Sequence, residues 1–180
     1  MTDLKQHPEF LEIIKELKDI PDFKLSKNYK HHGGDNNLYN HSIDTAYCVY
    51  RLCNFFGVTE EHTKSAVIAA LLHDFYGYDC HNPENFANLD RLNSKGIKKF
   101  TKLHAFNHGK LAIENIENYI ELSEQQKDAI LKHMFPLYPI PPKYVEGWLI
   151  TTADKIIATK ECIHTPFFLI KQKMQPKKVA

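Results

Sequence analysis

Six histidine and aspartate residues stand at the ends or on the inward faces of predicted helices, where their side chains could converge on a metal ion. The six are His41, His73, Asp74, His108, His133 and Asp154. Buried imidazoles and carboxylates are unfavourable unless a cation or hydrogen bonds compensate for their lost hydration. A divalent ion is the strongest such partner, because imidazole suits borderline transition metals and a carboxylate can bridge two ions. These residue types therefore predict a metal centre.

The chemistry expected of such a centre is hydrolysis at phosphorus. Two divalent ions about 3.5–4 Å apart can acidify a water molecule that attacks a phosphoryl group in line. The adjacent pair His73-Asp74 is weak evidence alone, since such dipeptides are frequent by chance. Its position at the end of an apolar helix, after Leu71 and Leu72, is more informative. The alternative is that the six residues are ordinary core and surface side chains that bind no metal.

Apolar residues recur with helical spacing through most of the chain, and they predict the helices that must position these donors. The predicted helices cover residues 4–17, 37–57, 60–74, 103–119, 123–133 and 143–163. Asn37 lies near the start of the second helix and Gly57 is its predicted C-cap. Ser123 and Gln126 form a predicted capping box. Because no strand-like alternation persists and no repeat is present, the predicted fold class is all-α.

Irregular segments separate these helices. A turn-rich loop precedes residue 37. Residues 76–99 are the least regular part, with a short helix predicted over 84–92 that lies over the site. Prolines between residues 136 and 142 predict an irregular crossing, and Pro166 is predicted to end the last helix. We therefore predict an N-terminal helix and loop packing on the core (1–36), a main domain (37–165) and a basic C-terminal tail (166–180).

Composition narrows the class of protein. The chain has 180 residues, of which 43% are hydrophobic and 25% charged, with a formal net charge of +1. This balance is typical of one soluble domain, and the near-neutral charge does not favour nucleic acid or a membrane surface as partner. No signal peptide or membrane span is predicted. The four cysteines lack a CxxC spacing, which favours free thiols and a cytoplasmic location.

The order His…His-Asp…His…His…Asp resembles the HD superfamily of metal-dependent phosphohydrolases. The local contexts match as well as the order, over about residues 39–161. They are Asn40-His41-Ser42, Leu71-Leu72-His73-Asp74, His108-Gly109-Lys110-Leu111-Ala112, Ile130-Leu131-Lys132-His133-Met134 and Ala153-Asp154-Lys155. The resemblance implies an HD-domain helical bundle, with the phosphohydrolase domain at residues 37–165.

By this resemblance, one or two divalent ions (Fe, Mn, Ni, Co, Zn or Mg) bind the six donors. The first ion would be bound by His41, His73, Asp74 and Asp154. His108 and His133 would complete a site for a second ion, with Asp74 bridging the two and orienting the attacking water.

Many members continue after the His-Asp pair with Ile-Gly-Lys, whereas this chain has Phe75-Tyr76-Gly77. That departure suggests an aromatic pocket in place of a lysine that contacts phosphate.

Several other residues are candidates for catalysis or substrate binding. His104 lies four residues before His108 and shares its helix face, so it could be a ligand, a phosphate contact or a proton donor to the leaving oxygen. The alternative is a half-exposed histidine at a helix start. Lys155 is a further catalytic candidate, and Arg51, Tyr76 and Lys102 are candidates for substrate binding. For the loop histidines His31 and His32, a solvated pair is favoured over a metal or substrate contact.

The function that these features predict is hydrolysis of a phosphomonoester or phosphodiester. The expected partner is a small phosphorylated molecule, a nucleotide or dinucleotide, and no nucleic acid. Two alternatives stay open: a catalytically silent sensor module that binds metal or nucleotide, and a di-iron HD oxygenase. The sequence leaves the oligomeric state open.

Overall fold

A computed structural model describes residues 4–31, 36–79 and 104–174, with backbone only for residues 104–106 and 164–174. Within these ranges the chain forms seven α-helices. They are α1 (Pro8–Ile14), α2 (Pro21–Leu25), α3 (Leu38–Phe56), α4 (Glu60–Leu72), α5 (His104–Ile116), α6 (Glu124–Lys132) and α7 (Val145–Met174). The described residues contain no strand beyond a single bridge between Lys30 and Asn37, so the all-α prediction is confirmed for them. None of these helices combines the length and apolar character needed to cross a membrane.

Helix α4 lies at the centre of the bundle, in contact with α1, α3, α6 and α7. Its C-terminal half is apolar, and residues 69–76 are all buried. A helix that is apolar on most sides has no face for water and must be enclosed by other helices. The consequence for the site is that His73 and Asp74, which directly follow α4, lie inside the protein rather than on its surface.

Local capping interactions set the ends of several helices where the sequence predicts them. The Asn37 side chain accepts a hydrogen bond of 2.9 Å from the Asn40 N–H and begins α3, and Gly57, with φ of 66°, ends it. Ser123 and Gln126 form both halves of the predicted capping box. These bonds satisfy backbone groups that a helix end would otherwise leave without partners.

Two helical predictions were wrong in extent. The first predicted helix is instead a short α1 flanked by turns of 3₁₀-helix, and α2 occupies the predicted loop. Pro8 and Pro21 each take a first-turn position, where a missing N–H costs nothing. Helix α7 continues through Pro166 to Met174. A proline removes one helical hydrogen bond and kinks the helix, but the bonds on both sides persist. The helix predicted over 84–92 lies outside the described residues.

Candidate metal centre

All six predicted donors come together in the interior of the bundle. His41 lies on α3, the His73-Asp74 pair follows α4, His108 lies on α5, His133 follows α6 and Asp154 lies on α7. None of the six is more than 8% exposed. Five different helices therefore supply imidazoles and carboxylates to one buried cluster.

One part of the cluster is formed by His41, His73 and Asp154. The Oδ1 atom of Asp154 lies 3.2 Å from His41 Nε2 and 3.7 Å from His73 Nε2. One potential ligand atom from each residue lies within 4.8 Å of the other two. This spacing allows the three side chains to share a single ion.

The second part of the cluster is formed by His108, His133 and the carboxylate of Asp74. Its Oδ1 atom lies 3.3 Å from His108 Nε2 and 3.7 Å from His133 Nε2, whereas its Oδ2 atom lies 3.5 Å from His73 Nε2. The Nε2 atoms of His108 and His133 are only 2.9 Å apart. Asp74 therefore directs one oxygen to each part of the cluster, which is the arrangement that a bridging carboxylate requires.

Backbone carbonyls orient two of the imidazoles. Nδ1 of His73 lies 2.7 Å from the carbonyl oxygen of Ala70, and Nδ1 of His133 lies 2.7 Å from that of Ile130. Each histidine follows the end of its helix, where carbonyls of the last turn lack helical partners. Because Nδ1–H donates to the carbonyl, the lone pair of Nε2 faces the cluster and is available to a metal.

Two buried atoms of the cluster have no hydrogen-bond partner: Nε2 of His73 and Oδ1 of Asp74. Leaving a buried polar atom unsatisfied costs about 1–3 kcal/mol. Both atoms belong to the predicted ligands and face the other donors. The set of imidazoles and carboxylates suits divalent ions such as Mn, Fe, Co, Ni and Zn, so the residues present fit such an ion.

The pKa shifts of Asp74 and His133 suit a cation, whereas neighbouring carboxylates outweigh burial and raise the pKa of His41 and of His73, so a metal ion would displace a proton from each of those two rings. Burial raises the pKa of Asp74, but the imidazoles of His73 and His108 outweigh burial and hold that pKa below its usual value. Burial, with the neighbouring imidazoles, lowers the pKa of His133 to about 3. At neutral pH the cluster therefore contains an ionised carboxylate and a neutral imidazole, which are the metal-binding forms of both groups.

Glu161 contacts the cluster and is not among the residues predicted from the sequence. Its carboxylate oxygens lie 3.1 and 3.2 Å from Nδ1 of His41, and Asn36 donates to the same carboxylate over 2.5 Å. Burial lowers the pKa of His41, but hydrogen bonds to Asp154 and Glu161 outweigh burial and raise it to about 10. The available signal was spacing: Glu161 lies seven residues, or about two helical turns, beyond Asp154.

Glu161→Gln is expected to weaken metal binding by about 10- to 100-fold, the scale seen when a carboxylate behind a ligating histidine is removed. The reason is that Glu161 holds the His41 ring with Nε2 directed at Asp154. The measurement is the dissociation constant of Mn²⁺ by competition with a chelator. Glu114→Gln, at an exposed position on α5, is the matched control. Equal affinities for Glu161→Gln and the control would contradict the prediction.

Of the other residues predicted for catalysis or substrate binding, two lie beside the cluster, one lies away from it and two have side chains that the structure does not describe. Lys155 donates from Nζ to the carbonyl oxygen of His133 over 3.3 Å, so its charge lies beside the centre. Tyr76 is buried, and its ring is edge-on to that of His108 with centroids 5.9 Å apart. Arg51 lines a groove between α3 and α7, ten residues or about 15 Å along the helix from His41. The side chain of His104, at the start of α5, and all of Lys102 lie outside the described residues.

His31 differs from the expectation of a solvated loop pair, because it is only 8% exposed. One potential ligand atom of His31 lies within 4.8 Å of those of His41 and Asp74. The segment before α3 places it there, through contacts that local sequence patterns do not encode. His32 lies outside the described residues.

Close packing at Gly109 holds α5 against α6. A Cβ atom on Gly109 would lie 2.7 Å from the carbonyl oxygen of Ile130 and 3.3 Å from Cα of Leu131. Contacts this short require backbone to move. Gly109 directly follows His108, and Ile130 accepts the hydrogen bond from His133. The absence of a side chain at Gly109 therefore allows the two imidazoles to meet.

Gly109→Ala is expected to destabilise the protein by about 1–3 kcal/mol, the usual scale for overpacking. Helix propensity alone predicts the opposite, since alanine is favoured over glycine by up to about 1 kcal/mol. Urea unfolding measures the change, with Lys110→Ala at the next, exposed position as control. A variant as stable as the control would contradict the close packing.

Comparison of the chain with known proteins identifies no relative: no protein-family model, curated protein or solved structure matches it. Membership of the HD superfamily therefore stays a prediction from the motifs. A reaction is in any case indicated by the chemistry and geometry of a site rather than by the fold that carries it.

Proposed function

We propose that the protein is a metal-dependent phosphohydrolase of the HD type, which cleaves a phosphomonoester or phosphodiester bond. The observation that supports this most directly is the convergence of six buried donors around two atoms without hydrogen-bond partners, Nε2 of His73 and Oδ1 of Asp74. Their order along the chain is the order of the HD motifs. Hydrolysis at phosphorus is the reaction that this donor set serves in the family the motifs resemble.

The six residues have two roles, which are to bind the ions and to orient the attacking water. His41, His73 and Asp154 form one half of the site, His108 and His133 the other, and Asp74 lies between them. When bound, divalent ions supply acidified water at neutral pH and neutralise charge on phosphoryl oxygens. Asp74 accepts hydrogen bonds through its ionised carboxylate and so can orient the attacking water. No nucleophilic side chain is needed.

A positive charge beside the centre supports an anionic substrate, and a pair of tyrosine rings packs next to it. The Lys155 ammonium lies 3.3 Å from the carbonyl oxygen of His133, where it adds positive charge beside the centre. Tyr76 and Tyr78 have ring centroids 5.0 Å apart, and Tyr76 packs on His108. Both tyrosines are buried, so a nucleotide or dinucleotide as substrate follows from the family that the motifs resemble rather than from an open stacking surface.

The test is a phosphatase and phosphodiesterase screen of the purified protein with Mn²⁺, Fe²⁺, Co²⁺, Ni²⁺ or Mg²⁺. We expect hydrolysis of at least one nucleotide or dinucleotide in the presence of a transition metal, and no hydrolysis after chelation. Metal binding without turnover of any substrate would contradict the proposal and favour a sensor module. Failure to bind any of the ions would contradict the centre itself.

A further inference from the structure

His31 is a buried imidazole that the six-donor motif does not include. It precedes α3, ten residues before His41, yet the centroids of the two rings lie 4.0 Å apart at an interplanar angle of 46°. Potential ligand atoms of His31, His41 and Asp74 all lie within 4.8 Å of one another. The ligand atoms of His41, His73 and Asp154 also lie within 4.8 Å of one another, so His41 belongs to both groups.

Backbone hydrogen bonds fix the position of His31. The N–H of Leu38 donates to the carbonyl oxygen of Tyr29 over 2.9 Å, and the N–H of His31 donates to that of Asn36 over 3.3 Å. The chain on each side of residues 32–35 is thus joined at the start of α3. Since α3 carries His41, the position of His31 is coupled to that of a ligand.

The surroundings of His31 favour coordination over packing alone. His31 is only 8% exposed and lies beside the carboxylate of Asp74, whose Oδ1 atom has no hydrogen-bond partner. A buried imidazole is stabilised by a partner that replaces its hydration. A cation between His31, His41 and Asp74 would offset the lost hydration of all three side chains at once.

We propose that His31 is a seventh protein ligand of the centre, which binds the ion held by His41 and Asp74. This inference rests on the proposed metal-dependent function, and it adds a donor from outside the helices that carry the HD motifs. His31 would then connect the chain before α3 to the ion. Binding of the ion would therefore stabilise the position of His31. An ion with this additional donor has one position fewer for water or substrate.

The test compares Co²⁺ binding by wild type, His31→Ala and His31→Phe, with His7→Phe as control. His7 also packs its ring against aromatic residues of α3, Tyr47 and Tyr50, but it lies outside the donor groups. Affinity is measured by competition with a chelator, and the visible absorption of bound Co²⁺ reports its coordination. We expect both His31 variants to bind Co²⁺ at least about tenfold more weakly, with an altered spectrum, whereas the control matches wild type.

The phenylalanine variant separates the two roles of the ring. It keeps an aromatic ring beside His41 but has no nitrogen, so a packing role would leave Co²⁺ affinity and spectrum unchanged, and that result would overturn the proposal. Circular dichroism confirms that each variant is folded before titration. Wild-type protein that fails to bind Co²⁺ would overturn the metal centre as a whole, which is a distinguishable outcome from a failure of His31 alone.

Discussion

Asp74→Asn is expected to lower the rate of metal-dependent phosphate-ester hydrolysis by roughly 10²-fold or more, the scale for loss of an electrostatic catalytic group. The carboxylate of Asp74 lies within 4 Å of imidazoles from both halves of the site. An amide has the size of the carboxylate but no charge. It offers one oxygen in place of two, so it cannot serve both halves.

The measurement is kcat for the best substrate of the screen, at saturating metal, in wild type, Asp74→Asn and Asp44→Asn. Asp44 lies on α3 one turn after His41 and is exposed, so its variant controls for loss of one carboxylate outside the centre. We expect Asp44→Asn to retain wild-type activity. Equal rates for Asp74→Asn and wild type would exclude the centre as the site of reaction.

Removal of the ions is expected to lower the melting temperature by about 5–10 °C. A ligand at 100 times its dissociation constant stabilises the native state by about 2.7 kcal/mol, and about 1 kcal/mol corresponds to 2–4 °C in a protein of this size. The physical reason is that the apoprotein buries Nε2 of His73 and Oδ1 of Asp74 without partners. A bound ion would satisfy both atoms. Because the binding site exists only in the folded state, the ion stabilises that state.

Differential scanning fluorimetry of protein treated with a chelator, then titrated with Mn²⁺ or Co²⁺, measures this shift. Asp154→Asn should reduce the shift, because it removes the charge of an oxygen that lies 3.2 Å from His41 Nε2. Asp128→Asn, on α6 and outside the donor groups, should leave the shift unchanged. A melting temperature that does not depend on the ion in wild type would contradict the proposed centre.

Most helix boundaries near the site were predictable, because short-range interactions determine them. Asn37 caps α3 through a residue three positions away, and Ser123 pairs with Gln126 over the same distance. The convergence of the six predicted donors was also expected, from their residue types, their places at helix ends and the order of the HD motifs that they resemble. Pro166 shows the limit of such rules: α7 continues past it, although a proline on average interrupts a helix.

The sequence by itself determined the helical class and the caps, since each depends on residue type or on neighbours within a turn, and its resemblance to the HD motifs singled out the six residues that converge. Only the tertiary structure decided which side chains surround those donors. Glu161 contacts His41 across 120 positions of the chain, and Gly109 matters only because α6 packs against it. His31 reaches the cluster because the chain turns back before α3. The contacts of Glu161 and Gly109 arise from the packing of helices distant in sequence, and no local periodicity encodes any of the three.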